Sequence, residues 1–278
     1  MVAQIRLAFR SRDLSLMRTE IDKLIRQEPR NFEGYFWGGF LEIQRRNNHD
    51  AVRFLRHAVV LDANSYVLKL LALSYYSLGQ FQLFTTTMRD AIQRKPDDFA
   101  PYYYLGRYYV STDVADFARA AEHFNEALKR NPNHHASWYY LGYCDEIGRK
   151  LETAEREYKR SMELAETAGK KFSLPRQGIA RIRLLEDKPA EALDAATQAI
   201  EFAPNDGASH VVRARALEAL DQTAEAAAEW ERAAALDPTD AVICYHLYQI
   251  YSLLGKPEKA SQMLAQHKKL TAMYGNAR

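Results

Sequence analysis

Few residues in this sequence have the types and spacing that metal binding or catalysis requires. His134 and His135 are the only adjacent histidines, and a zinc site would need two further ligands beside them. The neighbouring side chains are those of Asn131 and Asn133, which are not zinc ligands of choice. We therefore interpret the histidine pair as part of a solvated turn, and the sequence predicts no metal site.

Groups of carboxylates, which could serve as general acid and base, occur at residues 97–98 and at residues 152, 155 and 157. Turns and outward helix faces offer no desolvated pocket that would shift their pKa values, so we interpret them as surface charge. The sequence contains none of the phosphate-loop, dinucleotide-binding, zinc-protease or serine-hydrolase motifs. It therefore predicts a protein that is not an enzyme, with no catalytic residues and no cofactor.

The composition is that of a folded chain without a membrane span. Of the 278 residues, 47% are hydrophobic and 27% are charged, which excludes overall disorder. No apolar run approaches the roughly 18 residues that a bilayer requires. The net charge of +2 is too balanced to indicate a nucleic-acid partner by itself. No signal peptide is visible, so we expect a cytoplasmic protein by default, or a secreted or periplasmic one if such a peptide has been removed.

The helices that must position any binding residues are indicated by a pattern of small and bulky residues that recurs about every 34 residues. A small residue recurs on the first predicted helix of each unit, at Gly39, Ala72, Gly106, Gly142, Ala180 and Ala214. Another recurs early on the second helix, at Ala51, Ala120, Ala154, Ala192, Ala226 and Ala260. A mostly bulky residue follows it by four positions, at Leu55, Phe124, Tyr158, Ala196, Trp230 and Leu264. Small residues let helices approach closely, and bulky ones fill the remaining space.

The prolines agree with this pattern. Five of them close a unit, because proline blocks the continuation of a helix: Pro29, Pro96, Pro132, Pro204 and Pro238. The other four fall where helices should begin, and the first turn of a helix tolerates proline: Pro101, Pro175, Pro189 and Pro257. No proline therefore needs to interrupt a predicted helix.

The repeating residues resemble the tetratricopeptide-repeat motif, W-x2-L-G-x2-Y followed by A-x3-F and P. One stretch with this order is Trp138, Leu141 and Gly142, followed by Ala154 and Tyr158. The resemblance covers nearly the whole chain and implies an all-α fold, a right-handed superhelical solenoid of about eight helix-turn-helix repeats. We expect a single array over residues 1–278, with units at about 1–31, 32–64, 65–98, 99–134, 135–172, 173–206, 207–240 and 241–274.

The sequence also departs from the motif at several positions. Phe84 stands where the small residue of a second helix is expected, and Arg213 stands where a leucine is expected. Residues 111–116 include about two extra residues, and residues 165–171 lengthen the fifth unit, whose second helix we expect to end near Gly169.

In the tetratricopeptide-repeat family the first helix of each unit lines a concave surface, where peptides usually bind. The positions expected to face a partner there are Phe36, Trp37, Phe40, Tyr103, Tyr104, Arg107, Tyr139, Tyr140, Tyr143, Arg181 and Arg215. Two interpretations remain open. Either these are ordinary packing and solvated helix residues, or they form an aromatic groove edged with arginine, suited to a segment that carries apolar anchors and a carboxylate. In the second case, binding centres on units two to five.

Two binding modes of the family are not favoured. A clamp for a C-terminal carboxylate would use Lys69 together with asparagines, but Leu73 and Tyr104 stand at the asparagine positions. A ladder of asparagines along the groove is also missing, since residues such as Trp37 and Tyr140 take those places.

The predicted function is a non-catalytic scaffold or adaptor that binds a peptide or protein segment. The alternative is a regulatory or substrate-recruiting region cut from a larger enzyme or from a secretion or assembly machine. Nucleic acid is not favoured as a partner, because residues 1–134 hold 19 basic and 15 acidic side chains, a small excess for phosphate binding. The first unit looks like a repeat with its opening residues missing, either a truncated cap or the edge of a longer protein, and self-association through it is a further hypothesis.

Overall fold

The computed structural model describes residues 1–111 and 113–275, and every regular element within them is an α-helix. The helices of these residues are α1 (Val2–Arg10), α2 (Leu14–Gln27), α3 (Phe32–Gln44), α4 (Asn48–Leu61), α5 (Ser65–Ser77), α6 (Phe81–Arg94), α7 (Phe99–Val110), α8 (Phe117–Arg130), α9 (His135–Ile147), α10 (Leu151–Thr167), α11 (Leu174–Leu185), α12 (Pro189–Phe202), α13 (Gly207–Ala219), α14 (Thr223–Leu236), α15 (Ala241–Leu253) and α16 (Pro257–Gly275). The prediction of an all-α helical-repeat fold is confirmed. Thr112, inside the predicted insertion at residues 111–116, and the last three residues of the predicted array lie outside the described residues.

The helices fall into two compact structural units, each larger than a single repeat. The first unit, Met1–Pro132, contains α1 to α8, and the second unit, Asn133–Arg278, contains α9 to α16. Within each unit consecutive helices pack as pairs, such as α3 with α4 or α13 with α14. The second helix of a pair also packs on the first helix of the next pair, and successive first helices such as α3 and α5 touch. A helix pair too small to bury its own faces is thereby covered by its neighbours. The single array over all eight pairs stays a prediction.

Small residues on the first helix of a pair lie directly against bulky residues of the second helix. A methyl group added at Gly39 would lie 2.5 Å from Cγ of Leu55, and one added at Gly106 would lie 2.7 Å from Cε1 of Phe124. Both distances are too short for carbon atoms, so these positions need glycine. The two bulky side chains are completely buried, which is the packing that the repeat pattern predicts.

The turn inside each helix pair contains a residue with positive φ. Six of these turns use a residue other than glycine in the left-handed region, namely Arg12, Arg46, Ala115, Arg149, Asp187 and Asp221. The turns before α6 and α16 use Gly79 and Gly255, for which this backbone conformation carries little cost. The same conformation recurs because it returns the second helix alongside the first.

Capping side chains and prolines set where helices begin. Asn31, Asn64 and Asp98 accept hydrogen bonds from backbone N–H groups in the first turns of α3, α5 and α7. Pro175 and Pro189 lie in the first turns of α11 and α12, as predicted. Among the described helices, none has both the length and the apolar character that crossing a bilayer requires.

Candidate partner-binding surfaces

Partly exposed aromatic rings cover the first helices at the start of the first unit. We call Phe9, Phe36, Trp37, Phe40 and Tyr66 the aromatic surface. The Phe9 ring lies 5.7 Å from that of Trp37 and 5.3 Å from that of Phe40, and the Phe36 ring lies 5.8 Å from that of Tyr66. Phe9 and Tyr66 keep 39% and 51% of their surface exposed, while the other three are half-buried. The rings therefore form one surface across α1, α3 and α5 that a partner can contact.

Sequence reasoning identified Phe36, Trp37 and Phe40 but missed the other two members of this surface. Phe9 and Tyr66 lie on α1 and α5, outside the slots counted from the small residue of each repeat. A search for aromatic residues near the ends of the neighbouring first helices could have found them.

A carboxylate and two donors form the polar edge of the aromatic surface. Glu33 accepts a hydrogen bond of 2.7 Å from Nε1 of Trp37, and it forms an ion pair with Nη2 of Arg6 at 3.1 Å. The Arg6 side chain is 56% exposed, so the ion pair itself adds little stability. The Glu33 carboxylate, which accepts from the indole N–H, holds the Trp37 ring in one orientation.

A small cleft opens between α5, α6 and α7 in the same unit. Its volume is about 150 Å³, and we call it the Tyr104 cleft. Its lining consists of Leu73, Tyr76, Phe84, Tyr104, Arg107 and Tyr108. A cavity of about this volume in a protein core accepts a benzene molecule, so the cleft can hold one apolar side chain. The guanidinium of Arg107 lies at its exposed rim, 6.0 Å from the centre of the Tyr103 ring.

The aromatic surface and the Tyr104 cleft belong to one packed region. Phe36, Leu73 and Tyr104 all pack against the same buried cluster, which contains Leu71 and Leu105. The tyrosine rings of residues 103 and 104 are 5.3 Å apart, so the aromatic character continues along α7. The aromatic surface and the cleft therefore rest on one buried cluster of the first unit.

Lys69 does not face this region as an available cation. Its Nζ lies 2.6 Å from Oδ2 of Asp98, and the two side chains are only 16% and 13% exposed. Burial alone would raise the pKa of Asp98, but the hydrogen bonds from Lys69 and from the backbone N–H of Ala100, with the Lys69 charge, hold that pKa below its ordinary value. The charge of Lys69 is thus neutralised within the protein.

In the second unit, the expected partner-facing tyrosines have different surroundings. Tyr139 is buried, with 8% of its surface exposed, and burial raises the pKa of its hydroxyl to about 12. Its ring lies 5.7 Å from that of Tyr158 and 5.6 Å from that of Phe172. Tyr139 is therefore largely covered within its own unit, because the segment after the long α10 brings Phe172 against its ring, and its contact with a partner stays a prediction. Tyr140 and Tyr143 are half-buried.

Arg181, expected to present its guanidinium to a partner, binds a carboxylate of its own unit. Its Nε and Nη2 atoms donate to Oε1 and Oε2 of Glu146 at 2.7 and 2.8 Å. The Tyr158 hydroxyl donates to the same carboxylate at 2.5 Å. The guanidinium also lies 5.7 Å from the centre of the Tyr143 ring. Arg181 is therefore a structural residue that joins α11 to α9.

Arg215 lies in an open cleft of about 460 Å³ in the second unit. The cleft is also lined by Arg181 and by the acidic residues Asp206, Asp237 and Asp240. Because both signs of charge are present, this cleft does not select for a carboxylate. The predicted site residues thus lie on surfaces of different character, aromatic in the first unit and mixed in charge in the second.

A metal site needs several ligands close together. In the part of the chain that the structure describes, histidine, cysteine and acidic residues form no group of three or more placed to hold a metal ion. Cys144 and Cys244 are buried free thiols, and burial raises the pKa of Cys144 to about 12, which makes its thiolate scarce at neutral pH. His134 instead caps α9, its ring accepting from the backbone N–H of Ser137.

Comparison with known proteins places the helical pairs in context. A family model described as a tetratricopeptide repeat matches residues 113–168. No curated protein matches the sequence.

Solved structures match the fold at low sequence identity. The chain is similar to a chain in the crystal structure of the APC/C hetero-tetramer Cut9-Hcn1, with 14% identity and a TM-score of 0.73 over 88% of this chain and 48% of that one. It is similar to a tetratricopeptide repeat protein from Parabacteroides merdae, with 15% identity and a TM-score of 0.68 over 90% and 96% of the two chains. It also resembles the C-terminal part of a repeat-containing protein from Cytophaga hutchinsonii, with 16% identity and a TM-score of 0.63 over 87% and 98%. The chain thus spans about half the length of the first of these.

Proposed function

We propose that the chain binds a peptide segment along its first unit, because its fold resembles that of tetratricopeptide-repeat proteins, a known scaffold for protein–protein interaction. The proposed site consists of the aromatic surface and the Tyr104 cleft. The observation that carries the proposal is that half-exposed rings and a cleft of about 150 Å³, large enough for one apolar side chain, pack on the same buried cluster.

Aromatic rings suit this purpose for a physical reason. They remove a large apolar area from water on binding and lose few rotamers, so they dominate the energetics of many interfaces. Seating one leucine or phenylalanine side chain in the Tyr104 cleft would contribute about 2 kcal/mol from apolar burial alone. The remaining affinity would come from contacts along Phe36, Trp37 and Phe40.

Arg107 defines the chemistry of the ligand at the rim of the cleft. Its exposed guanidinium is a planar donor that can bind a carboxylate through two hydrogen bonds. The ligand is therefore a segment in which an apolar side chain lies next to an acidic side chain or a C-terminal carboxylate. Such a segment lies across the first helices, with its apolar anchor between α5 and α7.

The proposal is tested by selecting segments from a random peptide library on the purified chain and measuring their affinity by calorimetry. Selected peptides should contain an apolar residue beside a carboxylate. Tyr104→Ala should weaken their binding at least about tenfold, since buried aromatic anchors often contribute more than 1 kcal/mol. Arg107→Ala should weaken acidic peptides more than their amidated or neutral counterparts.

Tyr245→Ala provides the matched control, because Tyr245 is a 40% exposed tyrosine on α15, a first helix of the second unit. This variant should bind the selected peptides as the unmodified chain does. Unchanged affinity of a folded Tyr104→Ala variant would show that the peptides bind elsewhere and would refute the proposed site.

A further inference from the structure

Two open clefts border second helices, one in each unit, and the exposed charges of those two helices differ in sign. The cleft of the first unit has a volume of about 510 Å³ and is lined by one face of α4. We call this face the basic stripe, and its residues are His49, Val52, Arg53, Arg56, His57 and Val60. Their spacing of three, four, seven and eight residues places them along one side of the helix.

The basic stripe is exposed and carries little opposing charge. The Arg53 side chain is 62% exposed, Val60 is 85% exposed, and Arg56 is exposed as well. Asp50, which pairs with Arg53 at 3.1 Å, is the only acidic residue of α4. The stripe therefore offers arginine charge and two valines to a partner.

The cleft of the second unit, of about 470 Å³, has the opposite character along α12. Glu191, Asp194 and Glu201 are exposed on this helix, and α12 contains no lysine or arginine. We call the face of α12 with Ala190, Glu191, Asp194, Gln198 and Glu201 the acidic stripe. The spacing of three, four and three residues from Glu191 onward again gives one side of a helix.

The cations beneath the acidic stripe do not cancel its charge. Arg183 binds Glu155 at 2.6 Å, Glu186 at 2.9 Å and Glu191 at 2.8 Å, and Lys159 and Lys188 also pair with the first two of these carboxylates. Arg176 is buried and forms an ion pair with Glu166. The cations of this cleft are therefore already paired within the second unit, and the exposed carboxylates of Asp194 and Glu201 meet no cation on their own helix.

We propose that these stripes bind each other between two copies of the chain, the basic stripe of one copy receiving the acidic stripe of the next. Each stripe extends over about three turns of helix, or about 16 Å, so the two match in length. The arginines would meet the carboxylates of Glu191 and Asp194, while Val52 and Val60 would cover the small side chains of α12. Ridges of one helix can lie in the groove beside another in this way.

The proposed contact joins different surfaces of the two copies. Each bound copy therefore leaves one basic and one acidic stripe unused, and further copies add until a ring closes or a chain of copies grows. This interaction uses faces of α4 and α12, which line neither the aromatic surface nor the Tyr104 cleft, so it is separate from the proposed peptide site. Because it depends on exposed charges, salt should weaken it strongly.

Sedimentation velocity of the full chain over a range of concentrations tests the proposal. Self-association should be present at about 0.1 M salt and lost at about 1 M salt, where the screening length falls from about 10 Å to about 3 Å. Arg53→Glu with Arg56→Glu should give a monomer, as should Glu191→Lys with Asp194→Lys. An equimolar mixture of these two variants should associate again, because the reversed charges become complementary.

Arg89→Glu with Arg94→Glu is the matched control, since both arginines are exposed on α6, the next second helix of the first unit. This control should associate as the unmodified chain does, and circular dichroism would verify that every variant is folded. A monomer at all concentrations in low salt would overturn the proposal. A different outcome would be association that survives both stripe reversals but is lost on Leu7→Lys with Leu16→Lys. It would place the contact on α1 and α2 instead of on the stripes and would equally overturn the proposal.

Discussion

Arg181 and Glu146, 35 residues apart in the chain, form a two-pronged ion pair with N–O distances of 2.7 and 2.8 Å. The Glu146 side chain is 7% exposed, and the Tyr158 hydroxyl is its third donor. Burial, and then the charge of Glu146, raise the pKa of Tyr158 above its ordinary value, so this hydroxyl keeps its proton and donates. One carboxylate thereby joins α9, α10 and α11. Arg181, which the sequence predicted to bind a partner, forms its ion pair within the fold.

Arg181→Ala should lower the free energy of unfolding by about 3 kcal/mol, because it leaves the Glu146 carboxylate buried without its counter-charge. Arg215→Ala is the matched control, since Arg215 is the equivalent arginine on the next first helix and is exposed. We expect it to change stability by no more than about 0.5 kcal/mol. Urea unfolding followed by far-UV circular dichroism measures both. Equal losses in the two variants would contradict the structural role of the ion pair.

Gly178→Ala should destabilise the second unit by about 2 kcal/mol, because the added methyl group would overlap the ring of Tyr158. Tyr158 cannot move easily, since it is fully buried and hydrogen-bonded to Glu146. Gly207→Ala is the control, because its methyl group would meet Cβ of Leu236 at 3.5 Å, an ordinary contact. That variant should be neutral or slightly more stable, since alanine favours the helix. Thermal unfolding of both variants would decide, and a stable Gly178→Ala would contradict the packing described for Tyr158.

The parts of the fold that depend on the repeat itself could be predicted from the sequence. The slots of Gly39 and Leu55, or of Gly106 and Phe124, recur with the repeat, and the structure places each pair in direct contact. A recurring contact leaves a recurring pattern of residue sizes, so the sequence shows it. Gly178 shows the limit, because it lies outside the small-residue slot and yet contacts the Tyr158 ring.

Contacts that occur once could not be predicted in this way. The partner of Arg181 is a buried glutamate one repeat earlier, and nothing in the spacing distinguishes Glu146 from the many exposed glutamates. Tyr139 occupies a slot that faces outward in the family, but the irregular segment containing Phe172 covers it. Arginines and rings in partner-facing slots therefore indicate a candidate surface, while their internal partners decide which of them remain accessible.

The stability of the second unit should fall as the pH rises from about 6.5 to about 8.5, because of Glu157. Contrary to the surface position expected from the sequence, this side chain is buried on α10, and burial, followed by the charge of Asp145, raises its pKa to about 8. The folded state then retains a proton that the unfolded state releases above the ordinary value of 4.5, so raising the pH through this interval favours unfolding. The loss should reach about 2 kcal/mol and level off above the folded pKa.

Glu157→Gln should remove most of this dependence, since the amide does not titrate, while Glu152→Gln, an exposed position on the same helix, should keep it. Urea midpoints at several pH values in the same range measure the effect. This range lies above the ordinary histidine pKa, so the lowered pKa of His134 contributes little to it. Parallel curves for the unmodified chain and Glu157→Gln would contradict the assignment.

Substitutions of Asp98 should separate its charge from its capping role in the first unit. Asp98 binds Lys69 at 2.6 Å and accepts the backbone N–H of Ala100 at the start of α7. Asp98→Asn keeps an oxygen for the cap but loses the charge, and should cost about 2 kcal/mol. Asp98→Ala loses both and should cost about 3 kcal/mol, the difference being the usual contribution of an N-cap. Equal costs in urea unfolding would show that the cap contributes nothing.

Salt should distinguish this pair from an exposed one. Because Lys69 and Asp98 are only 16% and 13% exposed, the cost of Asp98→Asn should persist at about 1 M salt. Glu33→Gln breaks the Arg6 ion pair, whose side chains are 56% and 32% exposed, and its smaller cost should decrease in the same salt. A loss of the Asp98→Asn effect on adding salt would mean that water reaches the pair, and the burial that keeps Lys69 from binding a partner carboxylate would then be absent in solution.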